Sequence, residues 1–230
     1  MPEVSSELYK LIKVGGSDAR EFLQGQLTQD VGRLGDTPSL LAAWCNPKGR
    51  VIVVLRLLAL DDAIGLIVPA GLAERIIQRL TMYRLRADVS IELSDEDATA
   101  FINADERDPT TLIQNGVPVI DHENSEPYTP HMLNLDKLDA ISFTKGCYTG
   151  QEVVARTEHL GKSKRRLMRY KADGNSITVG DKLSDGERNV GEIVNVAGHE
   201  LLAVTPVELH RQKLQIGDVT VSPQGLPYEL

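Results

Sequence analysis

The chain has 230 residues, of which 41% are hydrophobic and 25% charged, with a formal net charge of −8. That length can bury a sizeable core in one large or two small domains, and the composition is that of an ordinary globular protein. The acidic balance excludes sequence-independent affinity for nucleic acid over the whole surface, and two isolated cysteines, Cys45 and Cys147, exclude a disulfide framework.

A reducing compartment suits such thiols. The opening Met1-Pro2-Glu3-Val4-Ser5 has no basic stretch followed by an apolar one, so no signal peptide is expected. The most apolar run, Val51 to Leu60, is too short to cross a bilayer and contains Arg56. The expectation is a cytoplasmic protein without membrane contact.

Leu8 to Val14 alternates apolar and polar residues, as a half-buried strand does. Ser17 is placed to cap a helix that carries Ala19, Phe22, Leu23 and Leu27 on one face. Leu40 to Cys45 and Arg50 to Leu60 flank Asn46-Pro47-Lys48-Gly49, which predicts a hairpin. Ile64 to Val68 predicts a further strand, Ala70 to Arg84 a helix, and Val89 to Leu93 a strand. Strand, helix, strands, helix, strand resembles a split β-α-β unit of ferredoxin-like type, so the first part reads as α+β. Residues 103–131, broken by Pro109, Gly116, Pro118, Pro127 and Pro130, predict an irregular connection. It is either folded over the first domain through Val117, Val119 and Ile120 or a disordered linker. From Ser163 onward, short alternating runs between glycines predict a small antiparallel β-barrel.

The most informative stretch is Lys145-Gly146-Cys147-Tyr148-Thr149-Gly150-Gln151-Glu152. Gly146 and Gly150 permit backbone angles and close approaches denied to other residues. A lysine two positions before a thiol lowers the thiol pKa if the side chains converge; the alternative is a buried structural cysteine in a tight turn. Tyr148 either packs or faces a ligand, Gln151 and Glu152 either cap the next element or bind ligand, and Asp30 either caps a turn or meets ligand. Cys45 reads as core. Iron–sulfur clusters take four ligands, and none of the five histidines has metal-ligand spacing with Cys147, so no stably bound metal is expected.

With Ile141-Ser142-Phe143-Thr144 before it and Val153 to Thr157 after it, the octet resembles the signature of the YgfZ family. These are folate-binding proteins related to the glycine-cleavage T-protein and tied to iron–sulfur enzyme upkeep and tRNA modification. Gly16 to Asp30, Ala42 to Arg50, and Gly116 to Asp121 with Asn124, Ser125, Asn134 and Leu135 are similar to other family segments, in the family's order. The resemblance implies an aminomethyltransferase-like, folate-binding α+β domain over residues 1–157, with ferredoxin-like β-α-β units, and a C-terminal antiparallel β-barrel over 158–230. It implies tetrahydrofolate or a derivative as cofactor. The implied site has Cys147 as functional thiol and Lys145, Gly146, Tyr148, Gly150, Gln151, Glu152, Gln114, Arg156 and Asp30 toward the cofactor.

Two departures matter. Where the family has a Glu-Ala-Gly stretch for the pterin edge, this chain reads Gln114-Asn115-Gly116, and a neutral amide holds that edge less strongly than a carboxylate. Near the T-protein's acidic residue stand Val53 and Val54; hydrocarbon can neither donate a proton nor stabilise an iminium charge, so aminomethyl transfer is not expected. Family members are also longer, the missing length falling between Leu93 and Leu112.

The resemblance implies an accessory protein for assembly or repair of iron–sulfur enzymes, with those enzymes or cluster-assembly factors as partners and an indirect role in tRNA methylthiolation. The alternatives are a tetrahydrofolate-dependent one-carbon transferase and a direct tRNA-binding module. The second would use Arg156, Lys162, Lys164, Arg165, Arg166, Arg169 and Lys171, a run that is either a solvated face or a receiving surface for a folate tail, phosphate or RNA. The cationic run is expected at the mouth of a cleft with the octet on its wall.

Overall fold

The computed structural model describes residues 8–161, 163–174 and 176–230, without the side chain of Leu160. Met1 to Ser5 and Lys162 of the basic run lie outside the described residues.

Alternation makes Tyr9–Gly15 a strand, β1. The helix that follows, α1 (Ala19–Gln24), is shorter than its apolar spacing predicts. Ser17 does not cap it; the Ser17 hydroxyl donates to Asp88 Oδ2 at 2.9 Å instead. The strands β2 (Ser39–Cys45) and β3 (Val51–Ala59) form the predicted hairpin, and the Asn46 side-chain oxygen accepts from the backbone N–H groups of Lys48 and Arg50. After β4 (Ala63–Pro69), α2 (Ala73–Arg84) and β5 (Ser90–Leu93) complete a five-stranded sheet of order β2-β3-β4-β1-β5 with antiparallel neighbours throughout. β4 and β5 both oppose β1, which lies between them, so β4-α2-β5 is the split β-α-β unit that the element order predicts.

One face of the sheet packs Trp44, Ile52, Leu57 and Leu66 against Leu23 of α1 and Ile76 and Leu80 of α2. On the other face Ala43, Cys45, Val51 and Val54 share a second core with Ile113, Ile120, Leu167 and Leu202. Each large side chain buried in these layers contributes about 1.5–3 kcal/mol.

The connection holds two short helices, α3 (Ala104–Arg107) and α4 (Pro109–Gln114). A reciprocal Asn103–Glu106 cap starts the first. Asp108 accepts from Thr110 N and Thr111 N to start the second, with Pro109 at its first position. The ordered alternative for this segment holds, but it is fastened to sheet and barrel alike. Asn195 Nδ2 donates to Val119 O (2.7 Å) while Asn195 Oδ1 accepts from Val119 N (3.1 Å), Asn124 Nδ2 donates to Val194 O (2.8 Å), and Ser125 Oγ donates to Ile52 O (2.7 Å).

After α5 (Gln151–Leu160), the strands β6 (Arg165–Ala172), β7 (Lys182–Ser184), β8 (Asn189–Ala197), β9 (Glu200–Pro206), β10 (Leu214–Ile216) and β11 (Val219–Gln224) close into a barrel of order β10-β11-β6-β9-β8-β7. Met168, Tyr170, Leu183, Ile193, Leu201 and Val221 fill it, and the buried Tyr170 hydroxyl finds Thr205 Oγ1 at 3.1 Å. The fold is therefore α+β with a closed antiparallel barrel. Among the described residues no helix is long and apolar enough to cross a membrane.

Candidate functional site

The octet is clasped by the turn that follows α1. Lys145 Nζ donates to Gln24 O (2.6 Å), Leu27 O (2.7 Å) and Gln29 O (3.0 Å), which takes up all three ammonium donors. Thr149 N donates to Gly25 O at 3.1 Å, and Ser142 N to Thr28 O at 2.9 Å. The buried Thr28 hydroxyl donates to Ala140 O (2.7 Å) and accepts from Ala43 N (2.8 Å), and Gln29 Nε2 donates to Asp139 O. Residues 24–29 thus hold residues 139–149 by a ladder of polar contacts. Thr28 and Gln29, fully buried polar residues, were not singled out by sequence; a polar run directly after an amphipathic helix was their one signal.

This geometry corrects the reading of Lys145 as an activator of the thiol, because its donors belong to carbonyls. Burial lowers its pKa to about 8, with Asp30 pulling the other way. The Asp30 carboxylate itself accepts from Gly32 N (2.9 Å) and Gln24 Nε2 (2.9 Å), so it caps the turn.

The two octet glycines differ. Gly150 sits at φ 83°, and a Cβ there would lie 2.6 Å from Asn46 O and 3.0 Å from Gly49 Cα. The start of α5 is pressed onto the β2–β3 turn, and only glycine allows it. Gly146 needs no such freedom: its φ is outside the left-handed region, and a Cβ would meet nothing within 4 Å. Below this junction Cys45 is fully buried, and burial pushes its thiol up to about 12. The Tyr148 ring is buried too, its pKa raised by burial and then by nearby Cys45, and it packs 5.1 Å from Lys145 Nζ. Gln151 Oε1 accepts from Tyr148 N at 3.2 Å, an internal cap. Cys147 is exposed. The octet therefore spends most of its side chains on holding a loop that leaves one thiol in solvent.

The residues assigned to a folate do not converge. Gln114 is exposed at the end of α4, which packs on β8 and β9; Glu152 and Arg156 are exposed on α5; Lys145, Tyr148, Gln151 and Asp30 are engaged within the clasp. Five clefts among the described residues have no octet residue in their lining. Two small adjoining cavities, of about 50 and 170 Å³, lie between the sheet and the connection, the first bounded by Val54, Arg56, Glu106 and Leu112. Both fall below the roughly 300–1,000 Å³ of small-molecule sites. Leu112 and Ile113 of the short connection are buried and line these cavities. The residues assigned to a tetrahydrofolate are not brought together around either cavity. Val53 and Val54 are buried, without any acid in their place.

The basic run is dispersed along β6. Arg166 Nη1 meets Asp136 Oδ1 at 2.5 Å, Arg169 meets Glu200 at 3.0 Å, and Arg165 donates to Val190 O (3.0 Å) and Val204 O (3.2 Å). Lys164 and Arg166 do border a cleft of about 730 Å³, but it lies at the C-terminal end of α5. The octet is at the other end, about 15 Å away for a ten-residue helix.

No family model matches the chain. The tRNA-modifying protein YgfZ of Enterobacter sp. (strain 638) is 30% identical over 264 aligned positions that cover 87% of this chain and 80% of that protein. The chain belongs to the YgfZ family. The YgfZ of Hamiltonella defensa is 29% identical, covering 92% of this chain and 79% of its own length, and an uncharacterized protein of Haemophilus influenzae is 32% identical over 73% of this chain. The 275-position alignment with the Hamiltonella protein is longer than the 230-residue chain, so the relative carries additional segments and this member is a shortened one. The crystal structure of the glycine cleavage system aminomethyltransferase T from Bartonella henselae superposes with a TM-score of 0.70 over 96% of this chain and 84% of that one, at 16% identity. That likeness shows a shared aminomethyltransferase fold.

Proposed function

We propose that this YgfZ-family chain is an accessory protein for tRNA modification that works through the Cys147 thiol on partner enzymes, those with iron–sulfur clusters that thiolate tRNA bases. The observation that carries the reading is the contrast within the octet: Cys147 is exposed while its loop is fixed by three Lys145 hydrogen bonds on one side and the Gly49–Gly150 contact on the other. A thiol held on a preorganised loop meets a macromolecular partner at small entropic cost. The name of its relatives, tRNA-modifying protein, supports the tRNA context. A cytoplasmic setting suits two free thiols.

Among the described residues, those assigned to tetrahydrofolate line none of five clefts, and the reading rests on the thiol. Direct tRNA binding is the weaker reading, because Arg166 and Arg169 are already paired with carboxylates and the net charge is −8. The test is a strain that lacks its own YgfZ and carries this chain. Mass spectrometry of its tRNA nucleosides should show methylthiolated bases restored, while the purified chain leaves tRNA unshifted in a gel at physiological salt. Unrestored bases would overturn the tRNA role, and a salt-sensitive shift would favour direct binding.

A further inference from the structure

At the end of α5 remote from Cys147, three side chains from separate segments converge. His131, Asp136 and Glu158 bring one imidazole nitrogen and two carboxylate oxygens within 4.8 Å of one another. His131 Nε2 lies 3.0 Å from Glu158 Oε2. The histidine is 1% exposed, its ring lies beside Phe143, and its Nδ1 has no hydrogen-bond partner among the described residues. All three line the cleft of about 730 Å³, a volume within the range of small-molecule sites.

We propose that His131, Asp136 and Glu158 bind a divalent first-row transition-metal ion at the wall of this cleft. One imidazole with two carboxylates suits Zn²⁺, Mn²⁺ or Fe²⁺, whereas Mg²⁺ and Ca²⁺ favour oxygen alone. Bonds of about 2.0–2.2 Å to a tetrahedral ion set its ligand atoms about 3.3–3.5 Å apart, so the trio needs only side-chain adjustment. Glu158, on the exposed face of α5, has room for it.

Charge points the same way. Two carboxylates this close repel, and Arg166, paired with Asp136, offsets a single charge. Arg166 Nη1 bonds Asp136 Oδ1 (2.5 Å) and the His131 carbonyl (3.0 Å), so one guanidinium orients two of the three ligands from behind. Among the described residues the second oxygens of Asp136 and Glu158 accept no hydrogen bond. Three protein ligands leave a coordination position facing the cleft, as in open rather than closed zinc sites.

The experiment is calorimetric titration of the full, tag-free chain carrying Cys147→Ser, which removes the exposed thiol as a competing ligand. The probes are Zn²⁺ alone and Mn²⁺ alone. One Zn²⁺ per chain is expected, bound in the micromolar range and more tightly than Mn²⁺. Glu158→Gln is the deciding variant, because an exposed helical side chain can be changed without unfolding the chain, which circular dichroism verifies. It should weaken Zn²⁺ at least tenfold; Asp136→Asn should do the same but also loses the buried pair with Arg166. Zn²⁺ binding that does not saturate below about 1 mM, or a Glu158→Gln variant that binds like its parent, overturns the proposal.

Discussion

Replacing Gly150 by alanine should be among the most damaging single changes near the octet, while Gly146→Ala should be nearly silent. At φ 83° an L-residue other than glycine costs about 1–2 kcal/mol. The added Cβ would also sit 2.6 Å from Asn46 O and 3.0 Å from Gly49 Cα. Both are backbone atoms of a tight turn and cannot rotate aside, so relief requires moving α5 away from the β2–β3 hairpin, an overpacking cost of about 1–3 kcal/mol. Alanine returns roughly 0.4–1 kcal/mol by restricting the unfolded chain. The net loss is about 1–5 kcal/mol, centred near 3, which for a chain of this size lowers Tm by on the order of 10 °C. At Gly146 neither term applies, and the change should stay within about 0.5 kcal/mol. Urea unfolding of the two variants beside the parent measures both. Equal stabilities for the two variants, or a Gly150→Ala variant within about 0.5 kcal/mol of the parent, would refute the account of how the loop is held.

Lys145→Met should cost about 2–3 kcal/mol, since three carbonyls lose a charged donor and water replaces it only partly at this half-buried position; limited proteolysis should then cut within residues 143–149. Burial raises the Cys45 thiol from near 9 to about 12 in the folded state, so the contribution of this group to stability is complete below pH 9 and is lost as pH rises from 9 to 12. Cys45→Ala should flatten that part of the pH–stability curve, as read by urea midpoints.

The sheet was legible because period-two alternation and the Asn46-Pro47-Lys48-Gly49 turn leave few other arrangements. The barrel followed from short alternating runs between Gly174, Gly180, Gly186, Gly198 and Gly217. The helix α5 was not read, since Val153, Val154 and Thr157 are β-branched and its start is fixed by Gly150 in the left-handed region, with no side-chain cap. Lys145 was misread for another reason: its partners are backbone carbonyls, which no side-chain pattern reveals. The basic run looked freer than it is, because Asp136 and Glu200, which neutralise Arg166 and Arg169, stand some thirty residues away in sequence. His131, Asp136 and Glu158 likewise come together only through the docking of α5 beside the connection.

Cys147 is the centre of the account, and the direct measurement is complementation by variants of the two thiols. A strain without its own YgfZ would carry the wild type, Cys147→Ala or Cys45→Ala, with protein levels matched by immunoblot. The readout is methylthiolated tRNA bases, quantified by mass spectrometry. Cys147→Ala should fold like the wild type, because an exposed loop thiol buries little area, yet leave the bases unmodified. Cys45→Ala should restore them, at some cost in stability for the cavity it opens in the core. Full restoration by Cys147→Ala would contradict the account.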